Sequence, residues 1–314
     1  MVKKSKIAVS LVLHNEARYL PRLAEALKAQ TINPFDIYIT DNNSSDSSGT
    51  LAKKLFPKAH IDLSSENSGF GIAHNKNMKR AFDAGADAVF ILNTDTEPYE
   101  GCLFELNNFM LKNPDSGIIS PLILYGNDTG KTTIIQNFRI SANLKKGKVL
   151  NMDEGKDIGE VSLPETETIN YFSGTSCLIK RSTYEKTGGF TEDNFLYGEE
   201  MDYSYRAALN KIKITAIKAA KVWHFHDWSM KNTDGLCREY YYINKNRILY
   251  FKKYNLKSGL FSFIAEEMLM SPLRIRWALK KGGKKFVRCF YRGIIHGLRT
   301  ENNNRSMKQE TNSI

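Results

Sequence analysis

The sequence predicts an α/β domain with a mostly parallel central sheet and flanking helices, followed by a C-terminal helical extension. Three observations predict it. Short apolar runs rich in β-branched residues alternate with segments of helical period through the first half of the chain. Those runs stop abruptly in polar clusters, as parallel strands do where their carboxyl ends open on a ligand crevice. Beyond residue 235 the pattern turns helical and basic.

IAVSLVL, residues 7–13, is the first strand, and 16–30 a helix with Leu20, Leu23 and Leu27 at helical spacing. Residues 35–40 form the second strand, which runs into DNNSSDSSG, whose Ser and Asp side chains are N-cap candidates for a helix ending at Leu55. Residues 60–63 are a short strand and 72–84 a helix. The buried strand 88–92 then ends in Asn93, Thr94, Asp95, Thr96, Glu97 and Pro98, before a helix that starts near Tyr99. The stretch 124–170 is polar and irregular, with LKKGK and acids at Asp153, Glu154 and Asp157, and reads as a variable insertion or flexible loop whose strands are too weakly signalled to place. From Ile169 order returns: TSCLIKR is a strand, 182–187 a short helix, GEEMDYSYRAALN a helix from about Gly198, 213–217 a strand and 238–254 a helix. The expected organisation is one domain over 1–235, a helical basic region over 236–300 and a disordered tail over 301–314.

A chain of 314 residues with 41% apolar content is long enough for a real core. Four Cys, at 102, 177, 237 and 289, form no CxxC pair, which argues against structural zinc and a disulfide framework. The opening resembles a signal peptide, but its apolar run is short and no small-residue cleavage site follows, so a strand is expected and the chain is placed in the cytoplasm. Residues 260–273 are interrupted by Glu266, Glu267 and Pro272 and are too short to span a bilayer. The formal charge is +11; nine Lys and Arg lie in 271–299, which holds no acid, so nearly all of the surplus belongs to one segment. Trp277, Phe286, Phe290, Tyr291 and Ile294 interleave with those cations. This is the pattern of an interfacial helix on an anionic membrane, preferred here over nucleic-acid binding or a merely solvated face.

Parallel pairing would bring His14, Asn15, Asp41, Asn42 and Asp95 to one edge of the sheet. Asn93, Asp95 and Glu97 alternate at strand spacing and offer oxygen ligands to a hard cation, or else cap the next helix. Asp41 suits an Asx turn, or a contact to a nucleobase N–H or a ribose hydroxyl. In NSGFGIAHNKN, Gly69 and Gly71 precede a helix N-terminus, which attracts anions. Glu199, Glu200 and Asp202 crowd the start of one helix, where repulsion prepares a general base and the helix dipole opposes it. His224 and His226 point the same way if their segment is extended, as ligands or as structural residues beside Trp223 and Trp228.

Taken in order, VSLVLHNE, ITDNNSSD, ENSGFGIAHN, ILNTDTEP, FSGTSCLIKR, GGFTEDNFLYGEEMDYSYR and VWHFHDWS resemble the family 2 glycosyltransferases, which use nucleotide sugars on the GT-A fold. With NKNRILYFKKY at 244–254, the chain is most similar to the bacterial rhamnosyl- and galactofuranosyltransferase branch, which builds cell-surface polysaccharide. The resemblance implies a nucleotide-sugar half over about 1–120 and an acceptor half over 121–235. It implies that Asp41 contacts the base, that Asn67 and Asn75 lie around the nucleotide, that His14 and Asn15 form the wall beneath it, and that Asn93 and Thr94 face the donor. Asp95 matches the metal-binding Asp and His224 the His ligand of a divalent Mn²⁺ or Mg²⁺ ion; Asn93 stands where some members carry the first Asp of a DxD. Glu200 occupies the place of the catalytic base, usually Asp, with Glu199 beside it and Asp202 as understudy and acceptor contact. The implied activity is inverting, metal-dependent transfer of a rhamnose- or galactofuranose-type sugar from a UDP- or dTDP-sugar to a hydroxyl of a glycan or polyprenyl-linked acceptor, at the inner face of the cell membrane. Two rivals are a sugar nucleotidyltransferase, whose Gly-rich basic loop HNEARYLP does not supply, and a non-catalytic nucleotide-sugar-binding module.

Overall fold

The computed structural model describes residues 5–32, 35–127, 129–225 and 233–300. Its contacts divide the chain into two units: Met1–Ala142, Val149–Phe195 and Glu199–Asp227 form the first, and Asn143–Lys148, Leu196–Gly198 and Trp228–Ile314 the second. Relative to a division at 235, the second unit also takes in 143–148 and 196–198. The tail 301–314, expected to be disordered, lies outside the described residues.

In the first unit, β1 (Ile7–Leu13), β2 (Asp36–Asp41), β3 (His60–Leu63) and β4 (Ala88–Leu92) pair in parallel, in the order β3-β2-β1-β4. Helices α1 (Leu20–Lys28), α2 (Ser48–Leu55) and α3 (Phe70–Asp83) connect them. Every residue of β4 is buried, because a parallel strand is covered on both faces. Its alternation divides two cores: Ala88, Phe90 and Leu92 pack with Leu23, Leu27 and Ala52, whereas Val89 and Ile91 pack with Met78, Ala81 and Phe82. Helix α1 begins at Leu20 rather than at 16, since Asn15 has a φ of 62° and starts the intervening loop.

After the short β5 (Thr96–Pro98) and α4 (Cys102–Lys112) the sheet becomes mixed. β6 (Ser116–Asn127) is followed by β7 (Gly130–Asn137), the β8 (Ile140–Asn143) and β9 (Lys148–Asn151) pair, and β10 (Thr166–Ile169). About half of the stretch read as a variable insertion or loop is therefore strand. β7 pairs antiparallel with β6 and buries Ile135 and Gln136, while Arg139 forks onto the buried Asp153 at 2.6 and 2.7 Å. β11 (Ser176–Lys180) runs antiparallel to both β4 and β6, and leads into α5 (Arg181–Thr187) and α6 (Glu199–Leu209). β12 (Lys213–His224) lies parallel to β6 and antiparallel to β10 and β5.

The second unit holds α7 (Thr233–Lys253), α8 (Lys257–Leu269) and α9 (Ser271–Arg299), the last broken by a kink at Gly282 and Gly283, where φ reaches 67°. The aromatic residues expected to enter lipid turn inward instead. Trp277, Phe286 and Phe290 surround Tyr240 at ring distances of 5.3, 5.2 and 5.9 Å. Ile294 is buried, Tyr291 half-buried, and a Cβ on Gly293 would stand 2.4 Å from the Tyr241 carbonyl, so α9 approaches α7 closely. An amphipathic helix beside a partner helix buries its apolar stripe there. Among the described residues no helix is long and apolar enough to cross a membrane.

Candidate active site

The chain enters the sheet at β1, adds β2 and β3 on one side, and then returns to place β4 on the other. That reversal between β1 and β4 is a topological switch point, where the carboxyl ends of parallel strands commonly frame a ligand crevice. His14 and Asn15 follow β1, Asp41 ends β2, and Asn93, Thr94 and Asp95 follow β4.

On the β2 side the polar side chains brace one another. Asn15 Oδ1 accepts from the backbone N–H of Ser45 at 2.8 Å and of Asp46 at 3.2 Å, and His14 Nδ1 lies 3.1 Å from the Asn42 carbonyl. Asp41 Oδ1 accepts from Ser44 N–H at 3.0 Å, an Asx turn, while a Cβ on Gly49 would stand 2.3 Å from its Oδ2. Asn42 donates to Asn67 Oδ1 at 2.8 Å and to the Gly69 carbonyl at 3.0 Å. Asn75 pairs with both backbone groups of Phe190, at 2.9 and 2.7 Å, and so joins α3 to the segment before α6. Beneath this wall, His74 Nδ1 is 2.7 Å from Ser10 Oγ, and Asn77 donates to the same oxygen at 3.1 Å. Burial pushes the His74 imidazole down to about 3, which keeps it neutral.

Across the crevice, Asp95 Oδ1 and His224 Nε2 stand 3.2 Å apart at the end of β12. His224 Nδ1 pairs with the buried Gln136 Oε1 at 2.9 Å; in the neutral tautomer with Nδ1 as the donor of that bond, the Nε2 lone pair faces Asp95. That tautomer is the one that binds a cation, and a neutral acceptor behind a His ligand is the usual arrangement for orienting it. Among the described residues no group of three or more His, Cys, Asp or Glu is arranged to hold a metal. A carboxylate and an imidazole nevertheless fit a divalent ion whose remaining ligands are phosphate and water. Glu16 adds a further acid here: burial, and behind it the Asp95 charge, push its carboxyl up to about 7, while Thr94 bonds it. Glu97, by contrast, is paired with Lys131 at 2.5 Å. His226 and Trp228 lie outside the described residues.

The third group is the acidic first turn of α6. Glu199 is 1% exposed, and its Oε1 has no hydrogen-bond partner among the described residues. Burial and then the charge of Glu200 push its carboxyl well above the usual carboxylate range. Glu200 is half-buried and receives the Gly174 N–H; burial raises its carboxyl against that bond. A Cβ on Gly174 would stand 2.4 Å from Glu200 Oε1, so a larger residue there would displace this carboxylate. Asp202 is tied elsewhere: its Oδ2 accepts from Arg206 Nε at 2.8 Å and pairs with Nη2 at 2.7 Å. The loop carrying Asp95 and the segment under Glu200 are neighbours, because Asn93 N–H donates to the Thr175 carbonyl at 2.9 Å.

Two residues here went unassigned in the sequence reading, Glu16 and Gln136. Glu16 belongs to the quoted HNE run, and its position one residue past Asn15 was the available signal. Gln136 is a lone amide in a polar stretch, with no spacing to mark it.

Comparison with known proteins bears on this arrangement. The model of the family described as glycosyl transferase family 2 matches residues 9–188. N-acetylglucosaminyl-diphospho-decaprenol L-rhamnosyltransferase of Mycobacterium tuberculosis is 25% identical over 232 residues, covering 69% of this chain and 75% of that protein. Rhamnosyltransferase WbbL of Escherichia coli is 22% identical over 277 residues, 81% of this chain and 99% of its own length. Among solved structures, GalNAc-T7 crystallised with UDP, GalNAc and Mn²⁺ aligns at TM-score 0.61 and 15% identity over 83% of this chain; the chain spans about half, 51%, of that protein. Residues 1–349 of Staphylococcus aureus TarS align at TM-score 0.53 and 15% identity, over 92% of this chain and 81% of that one. At such identities the structures speak to the fold alone.

Proposed function

This chain belongs to glycosyltransferase family 2 and is a glycosyltransferase of GT-A fold, and on that footing we propose that it transfers rhamnose, with inversion, from a nucleoside-diphosphate donor to a hydroxyl of a lipid-linked glycan. The observation that carries this reading is the Asp95–His224 pair at the β1/β4 switch point, oriented by Gln136 and joined through Asn93 and Thr175 to the Gly174 segment beneath Glu200. The rhamnosyl and lipid-linked terms are supported by the names of the relatives above.

The residues divide the work. Asp41 and the Asn42–Asn67 bridge line the end of the crevice suited to the nucleoside. Asp95 and His224 would hold a divalent cation, Mn²⁺ or Mg²⁺, which when bound would neutralise the negative charge of a departing nucleoside diphosphate. Glu200 accepts the proton of the acceptor hydroxyl as that oxygen attacks the anomeric carbon. Its raised affinity for protons suits a base, and the Gly174 N–H holds the carboxylate in place. Burial and the neighbouring Glu200 charge raise the Glu199 carboxyl beside it, so the two acids titrate as a pair. Asp202 and Arg206 fix the helix that presents both acids. A single displacement needs no carboxylate nucleophile, so no covalent glycosyl intermediate forms.

The test is a thermal-shift series with Mn²⁺ and UDP-, dTDP- and GDP-sugars, followed by product analysis with the donor that stabilises most. Stabilisation by a nucleotide sugar that is lost in Asp95→Asn supports the reading. A chain that no nucleotide sugar stabilises would refute it.

A further inference from the structure

Helix α8 is apolar on two faces. The inner face buries Gly259 and Phe263, with Glu267 on the same side. The outer face leaves Phe261, Met268 and Leu269 exposed by 76, 72 and 81%, and the i, i+7, i+8 spacing sets them on one side of the helix. The first half of α9, which follows directly, also bares Leu273 and Leu279, 60 and 46% exposed. Large apolar side chains bared together mark a docking face, whereas single ones do not.

The charges around this face have one sign. The two acids of α8 are engaged, Glu266 with Lys148 at 2.6 Å and Glu267 with Arg274 at 3.5 Å. The segment Ser271–Arg299 contains no acid. Arg276, Lys280 and Lys281 are exposed in the same half of α9 as Leu273 and Leu279, and Lys284 is exposed just past the kink. An apolar strip flanked by unopposed cations is complementary to an anionic surface with hydrocarbon beneath it.

We propose that this α8–α9 face docks on an anionic phospholipid bilayer, lying parallel to it, with Phe261, Met268, Leu269 and Leu273 in the acyl boundary and the cations among the headgroups. These are different side chains from the aromatic set that the sequence pattern suggested, which is packed around Tyr240. The same packing disfavours single-stranded nucleic acid as the occupant, because stacking platforms need exposed aromatic rings and Trp277, Phe286 and Phe290 are turned inward. The proposal rests on the lipid-linked acceptor for its purpose, but not for its geometry.

The test is co-sedimentation of the full chain with vesicles of phosphatidylcholine alone or with three-tenths phosphatidylglycerol. Wild type is expected to partition onto the anionic vesicles at least tenfold better. The variant Phe261→Ser, Met268→Ser, Leu269→Ser should lose roughly tenfold or more of that binding. Neutralising Arg276, Lys280 and Lys281 to Gln should lose about fivefold per cation. All these side chains are exposed, and circular dichroism checks that both variants fold. Equal partition of wild type and variants, or no preference for anionic lipid, overturns the proposal. So does a wild-type dimer that the apolar variant dissociates without any vesicle binding, which would assign the face to a second copy. Donor hydrolysis in vesicle-free buffer is measured alongside: if it is absent while vesicle binding follows expectation, the functional reading fails and this proposal stands.

Discussion

Replacing Gln136 with leucine tests the orientation of His224 more selectively than replacing the histidine itself. Gln136 Oε1 is 2.9 Å from His224 Nδ1, and both side chains are buried. Leucine fills similar volume but removes the Gln136 oxygen from Nδ1, and loss of a buried hydrogen bond costs about 1–3 kcal/mol. In a domain of this size that corresponds to roughly 2–4 °C in Tm per kcal/mol. The freed imidazole no longer holds Nε2 toward Asp95, and loss of such an outer hydrogen bond typically lowers metal affinity about 10–100-fold. Mn²⁺ titration by calorimetry, with nucleoside diphosphate present, reads the affinity; melting without metal reads the stability. Gln136→Glu, which keeps an acceptor, should stay within a few-fold of wild type. A Gln136→Leu variant that melts lower yet binds Mn²⁺ as wild type does would refute the reasoning, since His224 would then not be a ligand that needs orienting.

Two further outcomes are expected. His74 stays neutral in the fold, with its pKa depressed from 6.5 to about 3, so its contribution is complete above pH 6.5 and declines as pH falls through that window. Between pH 7.5 and 5.5, wild type should lose about 1 kcal/mol more than His74→Gln in urea unfolding; parallel pH profiles would contradict this. Asp202→Ala removes the carboxylate from a mostly buried Arg206, which keeps its bond to the Thr187 carbonyl, and should cost about 3 kcal/mol, seen as a lower Tm, with donor affinity kept at low temperature. A normal Tm with abolished turnover would instead restore Asp202 as a base.

Much of the fold was legible because burial leaves a period. β1 and β4 are runs of apolar and β-branched residues whose limits match the expected ones, and the polar clusters after them do stand at one edge of the sheet. The region from 124 to 170 was not legible, since β7 to β10 are short, largely one-sided strands whose outward Lys, Thr and Asn look like loop. Individual roles were harder still. The acids at 199, 200 and 202 are alike in sequence, and contacts made by Gly174 and Arg206 separate them. The i, i+4 spacing of Asp202 and Arg206 was readable and predicts that pair. The aromatic pattern of 277–294 suits a lipid surface or a neighbouring helix equally, and the presence of α7 decides between them.

The central claim is that Glu200 takes the proton of the acceptor while the opposite side of the crevice holds the donor. Single-turnover transfer by Glu200→Gln, with donor affinity measured on the same protein, tests this most directly. Loss of about 10²–10⁴-fold in the transfer rate with the donor Kd unchanged is the predicted result. Undiminished transfer, or donor affinity lost along with it, would contradict the account.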